Sequence, residues 1–552
     1  MPGYSYLELF SIRVYSKGEK YLLRIINMRV HLDNNTSIHK LAAKRLRLPP
    51  QAVLEVVIVR KALDARRKSN ISFVYTLDVK VGVAEGQVLA RLTGDKDVSV
   101  TQEYIPETII PGPRALEHPP VVIGLGPAGM LAALTLARHG YRPLVLERGR
   151  DVETRTKDVA KFWQTGTFDE MSNVQFGEGG AGTFSDGKLT TRVNDPLMSQ
   201  VLEILVQAGA PPEITYLHKP HIGTDKLRGV VKHIRQEIIA LGGQVEFESC
   251  VTDVKIEEGS IKGIIVNDNR YIPCSLALFA IGHSARDTYK MLHSHGIAME
   301  AKPFAIGVRI EHPQAIIDTS QYGTAAGHAN LSPADYSLVY HAKDTGRTAY
   351  SFCMCPGGLV VAAASEKGGV VTNGMSLYNR GSGVSNSALV VNVMTEDFGN
   401  DILGGIEFQR KYEELAFVCG GSNYHAPVQT VGDFLAGKTG STAFHTKPSY
   451  RPGVQATDLR QCLPEFVTDT LAKALPDFER KIKGFAHPEA VMTGVETRTS
   501  APVRILRNKE YMSTNTPGFY PIGEGAGYAG GIMSAALDGL NAAIAIIKQY
   551  KI

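Results

Sequence analysis

A strand, a glycine turn and a helix near residue 124 constrain the fold of this chain more than any other segment. Residues 121–123 are apolar and strand-like, and a G-x-G-x-x-G motif at 124–129 opens an apolar helical stretch. In dinucleotide-binding folds these glycines allow a tight turn, a close approach to a pyrophosphate, and close packing of helix on strand. The phosphates are then held at the helix N-terminus. The residues predicted to hold them are Gly124, Gly126, Pro127, Ala128 and Gly129.

An acidic residue at the end of the next strand extends this pattern. Residues 144–146 form a second apolar strand that ends in Glu147, 23 residues after Gly124. At this spacing a carboxylate accepts a hydrogen bond from a ribose 2′-hydroxyl. A carboxylate also disfavours a 2′-phosphate, because the two anions would repel each other. The local sequence therefore predicts FAD or NAD as the ligand, bound in part by Glu147 and Arg148, and leaves the choice between them open.

Three more distant segments bear on that choice. Residues 173–192 contain five glycines interleaved with polar residues. Their backbone N–H groups can contact phosphate and flavin, and Lys188 adds a positive charge. A helix from Thr224 leads into alternating strands and then into an apolar run that ends at Gly282. Residues 518–547 have the pattern of a strand, a glycine turn with Glu524, and a helix.

Together these segments resemble the glutathione-reductase-type FAD-binding superfamily, and within it the bacterial FAD-dependent dehydrogenase group, the NAD(FAD)-utilizing dehydrogenases. The resemblance spans almost the whole chain and implies that FAD is the cofactor. It implies that the glycine motif holds the FAD pyrophosphate, that Glu147 binds the adenosine ribose, and that the backbone near Val251 contacts adenine. Glu524 stands where Asp is usual, which keeps a carboxylate, and Ile281 stands where Thr is common. Further residues predicted to contact FAD are Gly179, Gly180, Ala181, Gly182, Thr183, Lys188, Leu189, Gly282, Gly523, Glu524, Gly531 and Ile532.

The last helix gives a physical reason for flavin chemistry. A helix that begins near 531–532 directs its positive end at the N1–C2=O edge of a flavin. This stabilises the negative charge of a reduced flavin, as an enzyme that accepts a hydride at N5 requires. The chain has no second G-x-G-x-x-G with a following strand and acid, and no C-x₄-C pair. We therefore do not expect a separate nicotinamide domain of the disulfide-reductase kind.

Three residues are candidates for chemistry beyond the flavin. Cys353 and Cys355 are two apart, and in an extended strand such residues face the same way. Both thiols could then reach one pocket and act as a redox pair, whereas two small buried side chains would give the same pattern. Arg498 could clamp a substrate carboxylate, and its alternative role is a structural salt bridge. No spacing of Cys and His residues predicts a metal site.

The predicted fold class is α/β. We expect a Rossmann-like FAD-binding domain assembled from discontinuous segments, an inserted mixed α+β substrate domain with few clear helices, and a small N-terminal β-α-β-β domain. The predicted boundaries are 1–105 for the small basic α/β N-terminal domain, 106–120 for a proline-rich linker, 121–283 plus 491–552 for the FAD-binding domain, and 284–490 for the substrate or cap domain.

Positive charge is concentrated in the N-terminal part of the chain. The whole chain carries a net charge of only +4, whereas residues 38–68 contain nine Lys/Arg against Glu55 and Asp64, an excess of +7. Without interleaved aromatic residues, such a stretch is typical of a solvated face. We therefore expect a small-molecule substrate, a transient NAD(P)H or electron-carrier donor, and neither a membrane nor a nucleic-acid partner.

These patterns favour an FAD-dependent oxidoreductase, either a dehydrogenase or a reductase, that passes electrons between flavin N5 and a small molecule. An RNA-acting flavoprotein of the tRNA-modifying kind and a non-enzymatic electron-transfer protein are the alternatives. The first twenty residues include Glu8 and lack an apolar core, so no signal peptide is expected. The uncharged stretch at 119–137 is interrupted by the glycine turn and is expected to be buried, which favours a soluble, cytoplasmic protein.

Overall fold

The chain divides into two units, Met1–Thr108 with Tyr216–His218, and Ile109–Thr215 with Lys219–Ile552. The structure is a computed structural model that describes residues 22–101, 108–399 and 401–552. The segment on which the signal-peptide prediction depends lies outside the described residues, as does the start of the predicted linker. No helix in the described ranges is long and apolar enough to cross a membrane.

The first unit is a four-stranded antiparallel sheet with two helices. The sheet order is β2-β3-β1-β4, and the chain order is β-α-β-β-α-β. The prediction of a β-α-β-β domain therefore omits the last helix and the last strand. The omitted helix is short and buries only Val88, so the sequence shows little periodic pattern there. The elements are β1 Leu22–His31, α1 Ile38–Arg45, β2 Val53–Asp64, β3 Ser72–Val81, α2 Glu85–Arg91 and β4 Val98–Thr101.

Several basic side chains of this unit form ion pairs. Arg29 and Arg66 both pair with Asp64 at 2.7 Å. Arg45 pairs with Asp95. These carboxylates neutralise part of the positive charge that is concentrated in residues 38–68.

The second unit is mixed α/β and contains several sheets. Its helices are α3 Pro127–Arg138, α4 Val152–Thr165, α5 Met198–Gln207, α6 Thr224–Ala240, α7 Arg286–Ser294, α8 Gln314–Tyr322, α9 Gly404–Cys419, α10 Val431–Ala436, α11 Glu465–Lys481 and α12 Ile532–Ile547. Its strands are β5 Arg114–Ala115, β6 Val121–Ile123, β7 Leu144–Leu146, β8 Gln244–Glu246, β9 Val251–Glu257, β10 Ser260–Val266, β11 Arg270–Pro273, β12 Ala277–Phe279, β13 Met299–Ala301, β14 Phe304–Pro313, β15 Val339–His341, β16 Thr348–Cys355, β17 Leu359–Ala362, β18 Thr372–Met375, β19 Val384–Val393, β20 Ala426–Thr430, β21 Val454–Ala456, β22 Val491–Glu496, β23 Val503–Ile505, β24 Phe519–Pro521 and β25 Tyr550–Lys551.

A five-stranded parallel sheet lies at the centre of the site-bearing part of this unit. Its order is β24-β12-β6-β7-β8, and every pair is parallel. Alternate residues of the strands face opposite sides. Val122 and Leu278 pack in a core with α3, α6 and α12, whereas Ile123 and Phe279 pack against α7 and the β9–β11 meander. Both faces are covered, which explains why the strands are short apolar runs.

The C-terminal helix α12 packs directly on α3. A Cβ added to Gly539 would lie 1.9 Å from the carbonyl oxygen of Ala128, so only glycine allows this approach. The contact holds α12 against the first turn of α3, the helix that begins within the glycine motif. The last strand, β25, pairs with β5, which lies within the predicted linker.

A seven-stranded sheet of order β15-β16-β19-β14-β22-β20-β21 forms the rest of the framework. Strand β22 belongs to this sheet, although the sequence places residues 491–496 with the FAD-binding segments. Helices α9 and α11 are 16 and 17 residues long, so the expectation of few clear helices at 284–490 is wrong. Two glycines open α9 and Pro476 lies inside α11, and both features weaken a helical signal.

Candidate functional site

A cavity of about 380 Å³ opens at the carboxyl ends of β6, β7 and β12. In parallel sheets, ligands bind in the crevice at the point where the strand order reverses. Here that point is at β6, since β7 and β12 lie on its two opposite sides. The volume is within the range of small-molecule and cofactor sites. The predicted site residues that line it are Gly124, Gly126, Pro127, Ala128, Glu147, Arg148, Gly180, Ala181, Gly182, Lys188, Val251, Gly282, Cys353, Arg498, Gly523, Glu524, Gly531 and Ile532.

Other predicted site residues are not among the cavity-lining residues. Thr183 is fully buried, and its hydroxyl donates to the carbonyl of Glu178. Leu189 is part of the apolar core. The side chains of Thr183 and Leu189 face inward, whereas most other residues of the loop at 173–192 line the cavity. The predicted residues that the cavity does not touch are Gly129, Gly179, Thr183, Leu189 and Cys355.

The glycines of the motif have different structural roles. Gly124 has a φ of +95°, and an added Cβ would lie 2.4 Å from the carbonyl oxygen of Ala280. At Gly129 an added Cβ would lie 1.9 Å from the Gly124 carbonyl oxygen. At Gly126 the nearest atom would be 3.8 Å away, at Gly180. The first and third glycines are therefore required by the fold, whereas the second leaves open space at the cavity wall.

Two helix N-termini border the cavity without side-chain caps. Helix α3 begins at Pro127 after Gly126, and α12 begins at Ile532 after Gly531, as the sequence predicts. The first N–H groups of a helix have no partner within the helix. Together with the helix dipoles they favour an anion in front of each terminus. The wall between them is made of backbone, which suits a pyrophosphate and the polar edge of a flavin.

Glu147 ties the glycine motif to the neighbouring loop. Its Oε2 accepts a hydrogen bond from the N–H of Leu125 at 2.8 Å. Its Oε1 accepts from the N–H groups of Gly149 and Gly177 at 2.9 and 3.0 Å. The carboxylate therefore orders the turn in addition to lining the cavity. It retains lone pairs, and its contact with a ribose stays a prediction.

Arg155 is a site-building residue that no sequence pattern singles out. It lies in α4, is fully buried, and its guanidinium binds the loop that follows the helix. Burial lowers its pKa to about 10, while Glu147 and Glu178 oppose that shift. Its five hydrogen bonds, at 2.6 to 3.2 Å, go to the carbonyl oxygens of Asn173, Val174, Gly177, Glu178 and Gly180.

A β-bulge lies between Cys353 and Cys355, which the sequence predicts to face the same way. Phe352 pairs with Ala388 but Cys355 pairs with Asn386, so the register shifts between them. Cys353, at the bulge, has a φ of +45° and lines the cavity, whereas Cys355 is completely buried. The prediction that both thiols reach one pocket is wrong, because the bulge interrupts the two-residue alternation.

Charged groups surround Cys353. The buried Arg309 donates from Nη1 to the Cys353 carbonyl at 2.9 Å and pairs with Glu496 at 2.9 and 3.0 Å. Lys188 Nζ lies 3.6 Å from Asp186. The hydrogen bond from Cys355, and then the positive charges of Arg309 and Lys188, lower the pKa of Cys353 to about 5. The same interaction raises the pKa of Cys355.

Glu524 lines the cavity at the start of the turn before α12. Burial raises its pKa to about 7, against the opposing charge of Lys302. The carboxyl group therefore titrates near neutral pH. A neutral Glu524 is a hydrogen-bond donor, which an aspartate of ordinary pKa would not be at that pH.

Arg498 is engaged in a structural salt bridge. Its Nε and Nη2 donate to Glu413 at 2.7 and 2.9 Å. Arg286 pairs with the same carboxylate at 2.8 Å. A two-pronged clamp from Arg498 on a substrate carboxylate is therefore not available in this geometry. Its Nη1 is buried and has no hydrogen-bond partner among the described residues.

Lys188 presents a second buried cationic nitrogen without a hydrogen-bond partner in the described ranges. Like Arg498, it lines the cavity. Buried polar atoms without a hydrogen-bond partner are rare in folded proteins and point to a bound molecule. Two such nitrogens, on side chains that form ion pairs with Asp186 and Glu413, fit together with the uncapped helix termini and the backbone wall a cofactor that carries phosphates and carbonyl oxygens.

Two stretches of the chain match known domain families. Residues 303–499 match the family described as FAD-dependent protein, C-terminal domain-like. Residues 22–80 match a domain of unknown function (DUF8436).

Solved flavoproteins show low similarity to this chain. CtdE in complex with FAD is 13% identical, with a TM-score of 0.32, over 77% of this chain and 83% of its own. A geranylgeranyl bacteriochlorophyll reductase-like protein of Thermoplasma acidophilum is 14% identical, with a TM-score of 0.33, over 78% and 77%. Family and cofactor are therefore assigned from the sequence matches alone.

A full-length relative provides the family. An uncharacterized protein of Clostridium beijerinckii (strain ATCC 51743 / NCIMB 8052) is 49% identical over 530 residues, which cover 96% of this chain and 99% of the relative. Because nearly the whole chain aligns with it, and residues 303–499 match the FAD-dependent domain, the chain belongs to the family of this clostridial protein, and its cofactor is FAD.

Proposed function

We propose that the protein is an FAD-dependent oxidoreductase that passes electrons between flavin N5 and a small-molecule substrate. The observation that carries the proposal is the combination of groups that line one cavity. Two uncapped helix termini and a glycine wall border it together with the ionisable side chains of Cys353, Lys188 and Glu524. A site built only for storage of the cofactor has no need of such ionisable groups.

The strand order supports a Rossmann-like FAD-binding domain. Counted along the chain from β6, the order of the parallel sheet is 3-2-1-4-5, which is that of dinucleotide-binding folds. In this arrangement Gly126 and Gly180 face the pyrophosphate, and Glu147 and Val251 lie at the adenosine end. FAD then supplies hydride transfer at N5.

Residues of the chain would also hold and orient the flavin part of the cofactor. Helix α12 directs its positive end at the flavin and stabilises negative charge there. Lys188 supplies a cation at the cavity wall. Glu524 near neutral pH can hold or release a proton at its carboxyl oxygen, which suits a reaction in which a hydride and a proton are exchanged. The region at 284–490 would cover the flavin and select the substrate.

Gly126 is the position at which FAD binding is best tested. An added Cβ meets nothing within 3.8 Å there, so Gly126→Glu should fold and place a carboxylate where the pyrophosphate belongs. We expect wild-type protein to be yellow with one FAD per chain, Gly126→Ala to keep most of it, and Gly126→Glu to be colourless with an unchanged far-UV circular dichroism spectrum. A folded Gly126→Glu protein that stays fully yellow would contradict this assignment.

Substrate-linked reduction tests the oxidoreductase itself. Wild-type protein under anaerobic conditions should lose its flavin absorption band when the correct small molecule, or NAD(P)H as donor, is added. If no member of a broad panel of reduced metabolites and nicotinamides bleaches the band, while a strong chemical reductant does so, the protein does not accept electrons from small molecules as proposed.

A further inference from the structure

We propose that Cys353 and Cys355 form a reversible disulfide that exchanges two electrons with the flavin. The inference rests on the proposed function, because the flavin is the redox partner of the pair. It gives the site a capacity for four electrons in place of two.

The local backbone brings the two thiols together and presents one of them to the cavity. In an extended strand, residues two apart are separated by about 6.6 Å, near the upper limit for a disulfide. The bulge bends β16 between the two cysteines, and their side chains are close enough to interact with each other. The S–H of Cys355 points back along the bulge and donates to the Cys353 carbonyl at 3.3 Å.

The strain at Cys353 is a second observation. Its φ of +45° is unusual for a residue with a side chain, and such outliers cluster at functional sites. The buried Arg309 holds the carbonyl of Cys353 at 2.9 Å. Neighbouring packing is also tight, since a Cβ added to Gly374 would lie 2.8 Å from the Cys355 sulfur. The bulge is therefore fixed in place, with the Cys353 thiol in the cavity and Cys355 behind it.

The charges around the pair favour a thiolate at Cys353. Three cations, Lys188, Arg309 and Arg380, face two carboxylates, of which Asp186 pairs with Arg380 at 2.7 Å and Glu496 pairs with Arg309. When Glu524 is protonated, one positive charge is left over, and a thiolate neutralises it. Glu524 also faces Cys353, and its raised pKa reduces the repulsion between them. A thiolate is the form of cysteine that reacts in disulfide chemistry.

The redox step balances without another reactant. The Cys353 thiolate and the Cys355 thiol lose two electrons and the one proton of Cys355, and a single S–S bond forms. Oxidised FAD is the oxidant, and two electrons with one proton convert it to the reduced anion. The reverse reaction breaks the S–S bond and restores a thiolate at Cys353 and a thiol at Cys355.

Electron counting and thiol counting test the pair. Fully oxidised wild-type protein should take up four electrons per FAD in an anaerobic dithionite titration, and Cys353→Ser and Cys355→Ser should each take up two. The chain has six cysteines, so denatured oxidised protein should show four thiols and reduced protein six. Cys274→Ser is the matched control, since Cys274 is buried in a different core and lines no part of the cavity. It should retain the four-electron uptake.

A spectroscopic signature separates the roles of the two residues. Cys355→Ser leaves Cys353 beside oxidised flavin, where Arg309 and Lys188 still favour its thiolate, and should show a long-wavelength charge-transfer band that disappears when acid protonates the thiolate. Cys353→Ser should lack the band. A merely structural pair would give the same spectrum in both variants.

The outcomes distinguish this inference from the proposed function. A yellow wild-type protein that takes up only two electrons and shows six thiols when oxidised would refute the disulfide and leave the oxidoreductase intact. A colourless wild-type protein would refute the FAD assignment. The thiol count, which needs no flavin, would still decide whether the pair forms a disulfide.

Discussion

The change Arg155→Lys should destabilise the loop that forms the cofactor cavity. The Arg155 guanidinium donates to five backbone carbonyls of residues 173–180. A lysine keeps the positive charge but has only three donors on one nitrogen. At least two of the five hydrogen bonds to these carbonyls must then be lost. We therefore expect the loop to lose stability because the hydrogen-bond geometry changes, and not because the charge changes.

The magnitude follows from the number of hydrogen bonds lost, since the carbonyls of Gly177, Glu178 and Gly180 keep a second donor. A hydrogen bond with a charged group contributes about 1.5–3 kcal/mol, so the loss of two costs about 3–6 kcal/mol of unfolding free energy. Typical domains have about 5–15 kcal/mol in total. Because the same loop contacts the wall at Gly126, part of the cost should appear in FAD binding. A loss of about 1.4 kcal/mol there is a tenfold weaker affinity.

Urea unfolding and flavin release measure these two effects. Both should be compared with Arg150→Lys, because Arg150 is about one-third exposed and pairs with Asp158 and Glu248 at 3.1 Å on the surface. Surface ion pairs contribute about 1 kcal/mol or less. If Arg155→Lys lowers the unfolding free energy no more than Arg150→Lys does, and FAD is released at the same temperature, the loop is not held by Arg155 as described.

Two further predictions concern pH and packing. Glu311 is fully buried beside Ser449, and burial raises its pKa from 4.5 to about 7. Between these values the folded state keeps a proton that the unfolded state releases, so stability should fall as the pH rises, by about 3 kcal/mol at most. Glu311→Gln should reduce this slope in urea midpoints measured across the window, where Glu524 also titrates, and an unchanged slope would exclude Glu311 as a source of it. Gly539→Ala should lower the melting temperature through about 1–3 kcal/mol of overpacking against Ala128. Gly229→Ala in α6, where an added Cβ meets nothing within 4 Å, should raise it, and equal shifts in the two variants would contradict the packing argument.

Elements whose boundaries are set by glycine and by apolar runs could be predicted from the sequence. The strands at 121–123 and 144–146, the start of α6 at Thr224 and the start of α12 at Ile532 lie where the patterns place them. These boundaries depend on local chemistry, which the chain carries in adjacent residues. The family resemblance that these segments help to carry implies the FAD cofactor.

Features that depend on contacts between distant residues could not be predicted. The bulge at Cys353 depends on pairing with Asn386 and on Arg309, so no periodicity of β16 reveals it. Arg155 has the sequence context of a solvated helix residue, and only the fold brings five carbonyls around it. The engagement of Arg498 with Glu413 joins residues 85 positions apart. In each case the side chain's role is set by its partner and not by its own neighbours in sequence.

The packing of α12 on α3 has a consequence for how the protein is made. The first helix of the site is synthesised early, but the edge strand at Phe519–Pro521 and the helix at Ile532–Ile547 leave the ribosome last. Contacts of such long sequence separation form slowly. A nascent chain therefore exposes the apolar faces of α3 and α5 that α12 covers until translation is complete. A product that stops short of α12 lacks one wall of the FAD cavity, so cofactor content reports on whether the entire chain was synthesised and folded.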